Sequence, residues 1–370
     1  MRPDDARHME RALELGRRGL GNTWPNPAVG CVIVQQDKVV GEGWTQPGGR
    51  PHAETEALLQ AGAAAKGATA YVTLEPCAHH GQTPPCTDAL IAAGVARVVA
   101  PFADHDPRVS GQGFDRLRAA GIEVTTGVGA DAAEVDHAGF FCRVATGRPR
   151  LTLKLATSLD GRIATASGDS QWITGPETRS YVHRLRACHD AVMVGAGTVR
   201  ADDPLLTVRG FDVPQQPVRI VISRRLDLPL DGNLARTLDI APLWLCHGED
   251  APEDARLAWS QIGAKLIQVP LDGRQVDIPA LMQALGDEGL TRVFCEGGGE
   301  LAASLLSADL VDRLDLHMGG VVIGAEGRPA LGALGLDRLA DAPRFALTSV
   351  RQSGDDVVQS WTRQRRQSHA

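Results

Sequence analysis

Helical and strand patterns of apolar residues alternate along the first third of the chain. Residues 5–18 have the pattern of a helix, with Asp4 or Asp5 available as its N-cap. Two strands joined by a short polar turn follow at 28–34 and 38–43. The same criteria predict helices over 52–61, 86–93 and 114–120, and strands over 70–74, 96–101 and 122–125. Because helices and strands alternate, we expect a mostly parallel sheet covered by helices on both faces.

A break at residues 146–149, Thr-Gly-Arg-Pro, predicts a linker between two α/β domains, 1–147 and 150–370. No internal repeat is apparent. Beyond the linker, a helix is predicted over 301–306, and the tail predicts a hairpin of 345–351 and 357–362 around Gly354. Further strands are predicted over 151–156, 191–194, 218–222, 243–246, 265–269 and 292–295.

Composition narrows the class of protein. At about 150 residues per domain, 370 residues favour two domains. The formal net charge is −7 and only 4% of residues are aromatic, which makes nucleic acid a poor candidate partner. No apolar run approaches the ~18 residues of a membrane span, and acidic residues stand where a secretory signal would be apolar. We therefore expect a cytosolic protein, and a homo-oligomer is compatible with these numbers.

One cluster of residues has the spacing of a zinc site. His52-Ala53-Glu54 is followed by Pro76-Cys77 and then by Cys86, and the seven cysteines, an odd number, argue against a disulfide framework. One imidazole and two thiolates suit tetrahedral zinc and leave a fourth position for water, whose pKa falls to about 7. With Glu54 as a proton shuttle, this is the pattern of zinc deaminases. A structural zinc closed by His79 or His80 is the alternative.

The second half contains candidate residues for a nucleotide site. Lys154 lies in the middle of an apolar strand, where a lysine is costly unless it is paired or functional; a side chain that extends to the surface is the alternative. Glycine-rich turns at 195–197 and 297–299 follow strands and could hold phosphate, although neither fits a Rossmann fingerprint. Ser223-Arg224-Arg225 is a candidate grip on the 2′-phosphate of NADP or a solvated basic loop.

Both halves resemble the bifunctional bacterial deaminase/reductase family of riboflavin biosynthesis. In the first half the resemblance lies in Pro25-Asn-Pro-Ala-Val-Gly30, the His-Ala-Glu motif and the run from Thr73 to Cys86, whose Cys-x8-Cys loop is specific to this family. In the second half it lies in residues 154–162, 167–174, 197–209 and 296–299. It implies an α/β protein in which a cytidine-deaminase-like three-layer αβα domain precedes a dihydrofolate-reductase-like α/β domain.

The resemblance also implies site residues for the deaminase. One zinc per chain would be held by His52, Cys77 and Cys86, with Glu54 catalytic. Asn26 and His79 would contact the pyrimidine substrate. The chain departs from the family at Thr45, where relatives often have histidine, and at Gln82, where they often have a basic residue. Those two positions bear on the substrate phosphate.

For the reductase, the resemblance implies NADPH as cofactor and Lys154 as the group that faces the ribosyl unit. NADPH would be contacted by Ala156, Trp172, Thr198, Asp202, Ser223, Gly298 and Gly299. The substrate would be held by Ser170, Arg186, Leu206, Arg209 and Glu296. Arg186 and Arg209 are the expected phosphate clamps.

The implied reactions form a sequence on small phosphorylated pyrimidines. Deamination of 2,5-diamino-6-ribosylamino-4(3H)-pyrimidinone 5′-phosphate gives the corresponding uracil, and NADPH then reduces the ribosyl group to ribityl. Two alternatives from other classes are a nucleic-acid or nucleoside deaminase with an accessory nucleotide-binding domain, and a binding protein that retains only the folds. Net charge and low aromatic content speak against the nucleic-acid deaminase.

Overall fold

The computed structural model describes residues 2–79, 84–106 and 109–364. The chain divides between Gly147 and Arg148 into two compact units. Within the described residues, the first unit has these helices: α1 (Asp5–Arg17), α2 (Ala53–Ala61), α3 (Cys86–Ala92), α4 (Gln112–Ala119) and α5 (Ala130–Thr146). Its strands are β1 (Gly30–Gln35), β2 (Lys38–Trp44), β3 (Thr69–Val72), β4 (Arg97–Ala100) and β5 (Glu123–Thr126).

The sheet of the first unit has the order β2-β1-β3-β4-β5. Strand β1 runs antiparallel to both β2 and β3, whereas the β3–β4 and β4–β5 pairs are parallel. The expectation of a mostly parallel sheet is therefore wrong here, because the two-residue turn at Gln36 and Asp37 folds β1 directly back on β2. Both turn residues have positive φ, 48° and 61°, as tight hairpins of this kind require.

Helices cover both faces of this sheet. On one face, Met9 and Leu13 of α1 pack against Val32 and Tyr71. On the other face, Ala57 of α2, Leu90 of α3 and Leu117 of α4 pack against the opposite side chains of β1, β3 and β4. The alternation of side chains along each strand supplies both apolar surfaces. The three-layer αβα arrangement is thus confirmed.

Helix α5 was not predicted from the sequence. It begins after Gly129 and ends before Gly147, which have φ of 72° and 77°. Glycine adopts this left-handed conformation without strain, which makes it a common residue just past a helix end. The Gly147 N–H donates to the Arg143 carbonyl at 2.8 Å and satisfies one of the last helical acceptors.

The second unit has more strands than helices. Its helices are α6 (Pro176–Ala187), α7 (Ala196–Asp202), α8 (Asn233–Arg236), α9 (Glu253–Gln261), α10 (Ile278–Asp287) and α11 (Gly299–Ser307). Its strands are β6 (Arg150–Thr157), β7 (Arg162–Ala164), β8 (Ala191–Gly195), β9 (Val218–Ile222), β10 (Leu243–Gly248), β11 (Lys265–Val269), β12 (Leu271–Asp272), β13 (Gln275–Val276), β14 (Arg292–Cys295), β15 (Arg313–Met318), β16 (Arg328–Pro329), β17 (Phe345–Ser353) and β18 (Asp356–Arg363).

The main sheet of this unit has the order β11-β10-β9-β8-β14-β6-β15-β18-β17. Every pairing from β11 to β15 is parallel. The predicted C-terminal hairpin forms β17 and β18 and joins the sheet antiparallel to β15. Because parallel strands end at the same edge, the residues that follow β6, β8, β9 and β14 converge there, which is where α/β sheets usually bind ligands.

Candidate active sites

Three predicted metal ligands come together in the first unit. His52 directly precedes α2, Cys86 is the first residue of α3, and Cys77 lies in the segment after β3. Their ligand atoms all lie within 4.8 Å of one another. The His52 Nδ1 atom is 3.3 Å from Cys86 Sγ and 3.8 Å from Cys77 Sγ.

The spacing of these atoms fits zinc. Zinc bonds of about 2.0–2.3 Å in a tetrahedral site separate neighbouring ligand atoms by about 3.6 Å, and the two His52–cysteine distances fall on either side of that value. Imidazole nitrogen and thiolate sulfur are also the donors that zinc prefers. Within the described residues, His79 is not part of this cluster, so its use as a fourth ligand of a structural zinc has no support. His80 and Gln82 lie outside the described residues.

The three clustered side chains alter one another's pKa values. The pKa of Cys77 is lowered to about 4, mainly by its contact with the Cys86 thiol and next by its contact with His52. The same contact between the two sulfurs raises the pKa of Cys86, and the contact with Cys77 raises the pKa of His52. The Cys86 backbone N–H also points at Cys77 Sγ, at 3.3 Å. The arrangement therefore stabilises negative charge on sulfur, which metal binding requires.

Glu54 occupies the first turn of α2, two residues beyond His52, and only 4% of its surface is exposed. Burial raises the pKa of its carboxyl. It is not one of the clustered metal-ligand atoms. Glu54 is thus a buried carboxyl beside the cluster that remains available for proton transfer.

The predicted substrate residues of this unit differ in their surroundings. Asn26 donates from Nδ2 to the Gly49 carbonyl at 3.0 Å, and a Cβ on Gly49 would lie 2.1 Å from that nitrogen. His79 is exposed. Thr45 is 2% exposed, and its hydroxyl accepts from the Val29 N–H at 3.0 Å. The Thr45 hydroxyl therefore forms a hydrogen bond within the fold.

In the second unit, two oppositely charged side chains, Glu296 and Arg186, lie near Lys154. Glu296 directly follows β14, the neighbour of β6, which carries Lys154. Arg186 of α6 donates from Nε and Nη2 to the two Glu296 carboxylate oxygens at 2.6 and 3.0 Å, and from Nη1 to the Thr207 carbonyl at 2.8 Å. Three of the five guanidinium donors are thus engaged inside the protein, and a contact between Arg186 and the substrate phosphate stays a prediction.

Opposing effects set the protonation of this group. Burial lowers the pKa of Lys154, and the Glu296 carboxylate partly opposes that shift. Burial alone would raise the pKa of Glu296, but Arg186 and Lys154 outweigh it and lower the pKa to about 2. In the described part of the chain, the Lys154 ammonium has no hydrogen-bond partner. It is therefore held close to a fixed negative charge with its donors still available.

The two glycine-rich turns lie side by side. The Gly195 N–H, at the end of β8, donates to the Gly297 carbonyl, beyond the end of β14, at 3.0 Å. Helices α7 and α11 begin there, with Gly195 and Gly298 as their N-caps. Gly297 has φ of 95° with open space where a Cβ would stand, whereas a Cβ on Gly298 would approach Thr198 Oγ1 to 3.3 Å. Two adjacent helix N-termini with glycine backbone form a cradle suited to phosphate.

The predicted 2′-phosphate residues lie at the end of β9, and two of the three are engaged within the protein. Ser223 is buried and donates to Asp227 at 3.0 Å. Arg224 donates to both Asp250 oxygens and to the Arg274 carbonyl. Arg225 is exposed and makes no hydrogen bond within the described residues.

The remaining predicted residues have varied surroundings. Ala156 is half-buried near the end of β6, between Lys154 and the sheet edge, and Ser170 is also half-buried. Asp202 is the last residue of α7, and Gly299 is the first residue of α11. Trp172 is 67% exposed, with the Arg179 guanidinium 4.7 Å from its ring centre.

Leu206 and Arg209 follow α7 and differ in exposure. Leu206 packs in the core, which leaves its backbone groups for any ligand contact. Arg209 is exposed, and its N–H donates to His183 Nδ1 at 3.2 Å.

Two residues with contacts at the sites, His317 and Glu75, were not predicted from the sequence. His317 of β15 is fully buried and stacks on Tyr181. Its burial, and next the nearby Lys154, lower its pKa to about 3. No sequence signal indicated it, because β15 itself was not predicted. Glu75 lies two residues before Cys77 and accepts four backbone hydrogen bonds. A carboxylate inside the Thr73–Cys86 motif was the available signal.

Comparison with protein families assigns both units. Residues 2–101 match the cytidine and deoxycytidylate deaminase zinc-binding region, and residues 149–359 match the RibD C-terminal domain. These two domains imply zinc and a nicotinamide cofactor. None of the described helices is long and apolar enough to cross a membrane.

Similar proteins match over nearly their whole length. The riboflavin biosynthesis protein RibD of Escherichia coli is 44% identical, over 95% of this chain and 98% of its own, and that of Haemophilus influenzae is 42% identical, over 97% of each. Among solved structures, Acinetobacter baumannii RibD has a TM-score of 0.87 at 37% identity, covering 98% of this chain and 99% of its own. A diaminohydroxyphosphoribosylaminopyrimidine deaminase/5-amino-6-(5-phosphoribosylamino)uracil reductase from Thermotoga maritima has a TM-score of 0.84 at 32% identity, covering 97% and 98%.

Proposed function

The chain belongs to the RibD family of riboflavin biosynthesis, and from that premise we propose how its two units divide the chemistry. It is a bifunctional enzyme with a deaminase unit followed by a reductase unit. Its substrates are small phosphorylated pyrimidines. In the first step, water adds to C2 of the diaminopyrimidinone ribosylamino phosphate, the amidine-like ring carbon. The 2-amino group then leaves as ammonia. In the second step, NADPH delivers hydride to C1′ of the resulting uracil, and the ribose opens to a ribityl chain.

The observation that carries the deaminase assignment is the cluster of His52, Cys77 and Cys86 with the buried Glu54 beside it. These three side chains would hold one zinc ion per chain. Zinc, when bound, would act as a Lewis acid and make water nucleophilic at neutral pH. Glu54 would carry a proton from that water to the departing nitrogen, because it lies next to the cluster without being part of it. Asn26 and His79 would orient the pyrimidine.

The reductase assignment is supported by the paired glycine turns and the buried charges around Lys154. The turns at Gly195 and Gly297–Gly299 would hold the pyrophosphate of the cofactor at two helix N-termini. NADPH supplies the hydride when bound. Lys154 would donate the proton that accompanies ring opening, and Glu296 would keep the ammonium oriented through its fixed negative charge. Arg186 would act mainly on Glu296.

Preference for NADPH over NADH would come from Arg225. The Arg224 guanidinium is engaged with Asp250, whereas the Arg225 side chain is exposed at the end of β9. A guanidinium there could pair with the 2′-phosphate that distinguishes NADPH from NADH. Ala156, Trp172, Thr198, Asp202 and Ser223 would supply further contacts with the cofactor.

The experiment follows ammonia and NADPH together. Full-length, zinc-loaded protein is incubated with the diaminopyrimidinone ribosylamino phosphate and NADPH, and ammonia release and NADPH absorbance are recorded. We expect ammonia first, followed by substrate-dependent NADPH oxidation. A parallel reaction with NADH should be slower, and Arg225→Met should reduce the difference in rate between NADPH and NADH. Arg224→Met is the comparison, because Arg224 already pairs with Asp250.

Two controls separate the units. Removal of zinc with a chelator should stop ammonia release, while reduction of the deaminated substrate continues. Ammonia release without NADPH oxidation would overturn the reductase assignment. Neither signal from zinc-loaded, folded protein would mean that the substrate is a different one, and the departures at Thr45 and Gln82 would be the first positions to revert.

A further inference from the structure

Glu75 is a buried carboxylate that binds backbone amides. It lies between the end of β3 and Cys77, and only 7% of its surface is exposed. Its two oxygens accept hydrogen bonds of 2.8 to 3.3 Å from the N–H groups of Asp104, Gly111, Gly113 and Phe114. A carboxylate with four amide donors is held firmly in one position.

Three of these amides, those of Gly111, Gly113 and Phe114, belong to the start of α4 and the turn just before it, and the fourth, Asp104, lies in the segment after β4. The first N–H groups of a helix lack partners within the helix and carry partial positive charge, so the Glu75 carboxylate takes the place of an N-terminal cap. Gly113 allows the close approach, since a Cβ there would lie 2.1 Å from the Pro76 carbonyl. The main chain just before Cys77 is thereby fastened to α4.

Helix α4 also contacts the chain on the other side of Cys77. The Arg116 guanidinium donates to the Ala78 carbonyl at 3.2 Å and forms an ion pair with Asp88 of α3. A single helix thus contacts the residues before Cys77, the residue after it, and the helix that begins with Cys86.

The two cysteines are further joined to each other through the main chain. The Cys77 carbonyl accepts from both the N–H and the hydroxyl of Thr87, each at 3.2 Å, and the Cys86 N–H contacts Cys77 Sγ. These contacts tie the main chain of Cys77 to the first turn of α3, next to Cys86.

We propose that Glu75 is a positioning residue of the metal centre, which holds Cys77 and Cys86 at zinc-binding spacing by fastening their segment to α4. The inference rests on the proposed zinc site. Glu75 does not ligate, because it is not among the clustered ligand atoms; it acts through the backbone of Cys77. Removing groups that orient metal ligands typically weakens metal affinity about 10- to 100-fold.

The test measures metal binding rather than turnover. Metal-free, full-length protein is titrated with Co²⁺, whose absorption reports thiolate ligation and tetrahedral geometry, and then with Zn²⁺ in competition with a chromophoric chelator. Glu75→Gln keeps the size of the side chain but puts an amide NH₂ where an oxygen faces two N–H donors. Glu42→Gln is the matched control, because the Glu42 carboxylate accepts from Arg11 of α1 through both of its oxygens and has no hydrogen bond to α4 or to a cysteine among the described residues.

We expect Glu75→Gln to weaken Zn²⁺ binding at least tenfold and to change the Co²⁺ spectrum, while Glu42→Gln matches the wild type. Arg116→Met, at a partly exposed position, should give a smaller loss in the same direction and serves if Glu75→Gln does not fold. Wild-type affinity and spectrum in both variants would overturn the inference. A wild-type protein that binds neither ion would instead overturn the zinc site itself.

Discussion

Arg186 and Glu296 form a bidentate, largely buried ion pair, with Nε–Oε1 and Nη2–Oε2 distances of 2.6 and 3.0 Å. The two residues are 110 positions apart in sequence, and their contact joins α6 to the residue that follows β14. The pair keeps Glu296 ionised next to Lys154. Arg186, which the family resemblance assigns to the substrate phosphate, is thus also the partner that orients the Glu296 carboxylate.

We expect Arg186→Lys to slow reduction about 30-fold, because lysine retains the charge but cannot form the bidentate contact, a loss of ~2 kcal/mol. Single-turnover NADPH oxidation with the deaminated substrate measures it. The exposed Arg184 on the same helix provides the control, and Arg184→Lys should leave the rate unchanged. A higher KM with unchanged kcat in Arg186→Lys would instead support a phosphate contact.

The pH dependence of reduction should follow Lys154. If the protonated amine donates, the rate falls as pH rises through its pKa, and burial places that pKa below the ~10.4 of a free lysine. Glu296 raises the pKa of Lys154, so Glu296→Gln should move the alkaline limb to lower pH. Rate profiles of the two proteins between neutral and alkaline pH check this. A limb that stays in place, or moves upward, contradicts the role of Lys154.

Glu54→Gln should reduce ammonia release by about 10²- to 10⁴-fold, the usual contribution of a general acid–base group. Zinc content, measured by elemental analysis, should remain at the wild-type level because Glu54 is not one of the clustered ligand atoms. Glu56→Gln, in the same helical turn and less buried, is the control. Persistent ammonia release in Glu54→Gln would exclude it as the proton shuttle.

Acid sensitivity of the first unit should depend on Asp5. Asp5 accepts hydrogen bonds from Arg97 Nη1 and Nη2 at 2.7 and 2.9 Å, and both residues are almost fully buried. Arg97 holds the pKa of Asp5 far below its usual value, so the folded state binds fewer protons than the unfolded state. The resulting stability is present above the unfolded pKa of ~3.9 and is lost as pH falls below it.

Asp5→Asn should therefore cost up to about 3–5 kcal/mol of unfolding free energy at neutral pH, because it removes the buried partner of the Arg97 charge and leaves only Glu123, whose side chain is 58% exposed, to pair with it. The difference from wild type should shrink at acid pH. Urea titration read by hydrogen exchange of the β4 amides measures both. The exposed Asp4 provides the control, and Asp4→Asn should be neutral; an Asp5→Asn deficit that does not change with pH would refute the linkage.

Local patterns predicted much of this fold. The predicted strand at 191–194 corresponds to β8, and the predicted turn and strands at 28–43 correspond to β1 and β2, because alternation and turn residues act over short distances. The direction of pairing was not local information: β1 lies between β2 and β3 with antiparallel neighbours on both sides. Helix α5 was not predicted because its alanines and the internal Gly139 weaken its apolar periodicity.

The site was predictable in its residue types but not in its contacts. His52, Glu54, Cys77 and Cys86 were found because metal chemistry demands particular donors at particular spacings. Partners that join distant segments were not found. The hydrogen bonds from Gly113 to Glu75 and from Arg186 to Glu296 span 38 and 110 residues, and only the folded chain brings these groups together.

Strand β6 opens the second unit, yet it lies inside the main sheet and its partners come late in the chain. Residues 150–153 pair with 292–295 of β14, and residues 152–157 pair with 313–318 of β15. During synthesis, the strand that carries Lys154 therefore has to wait for most of its unit to leave the ribosome before either neighbour exists. Pairings this distant also slow folding, because long loops must close before the contacts form. In the first unit, all strand pairings of the sheet lie within residues 30–126, so the sheet of the deaminase half can form while the reductase half is still an unpaired chain.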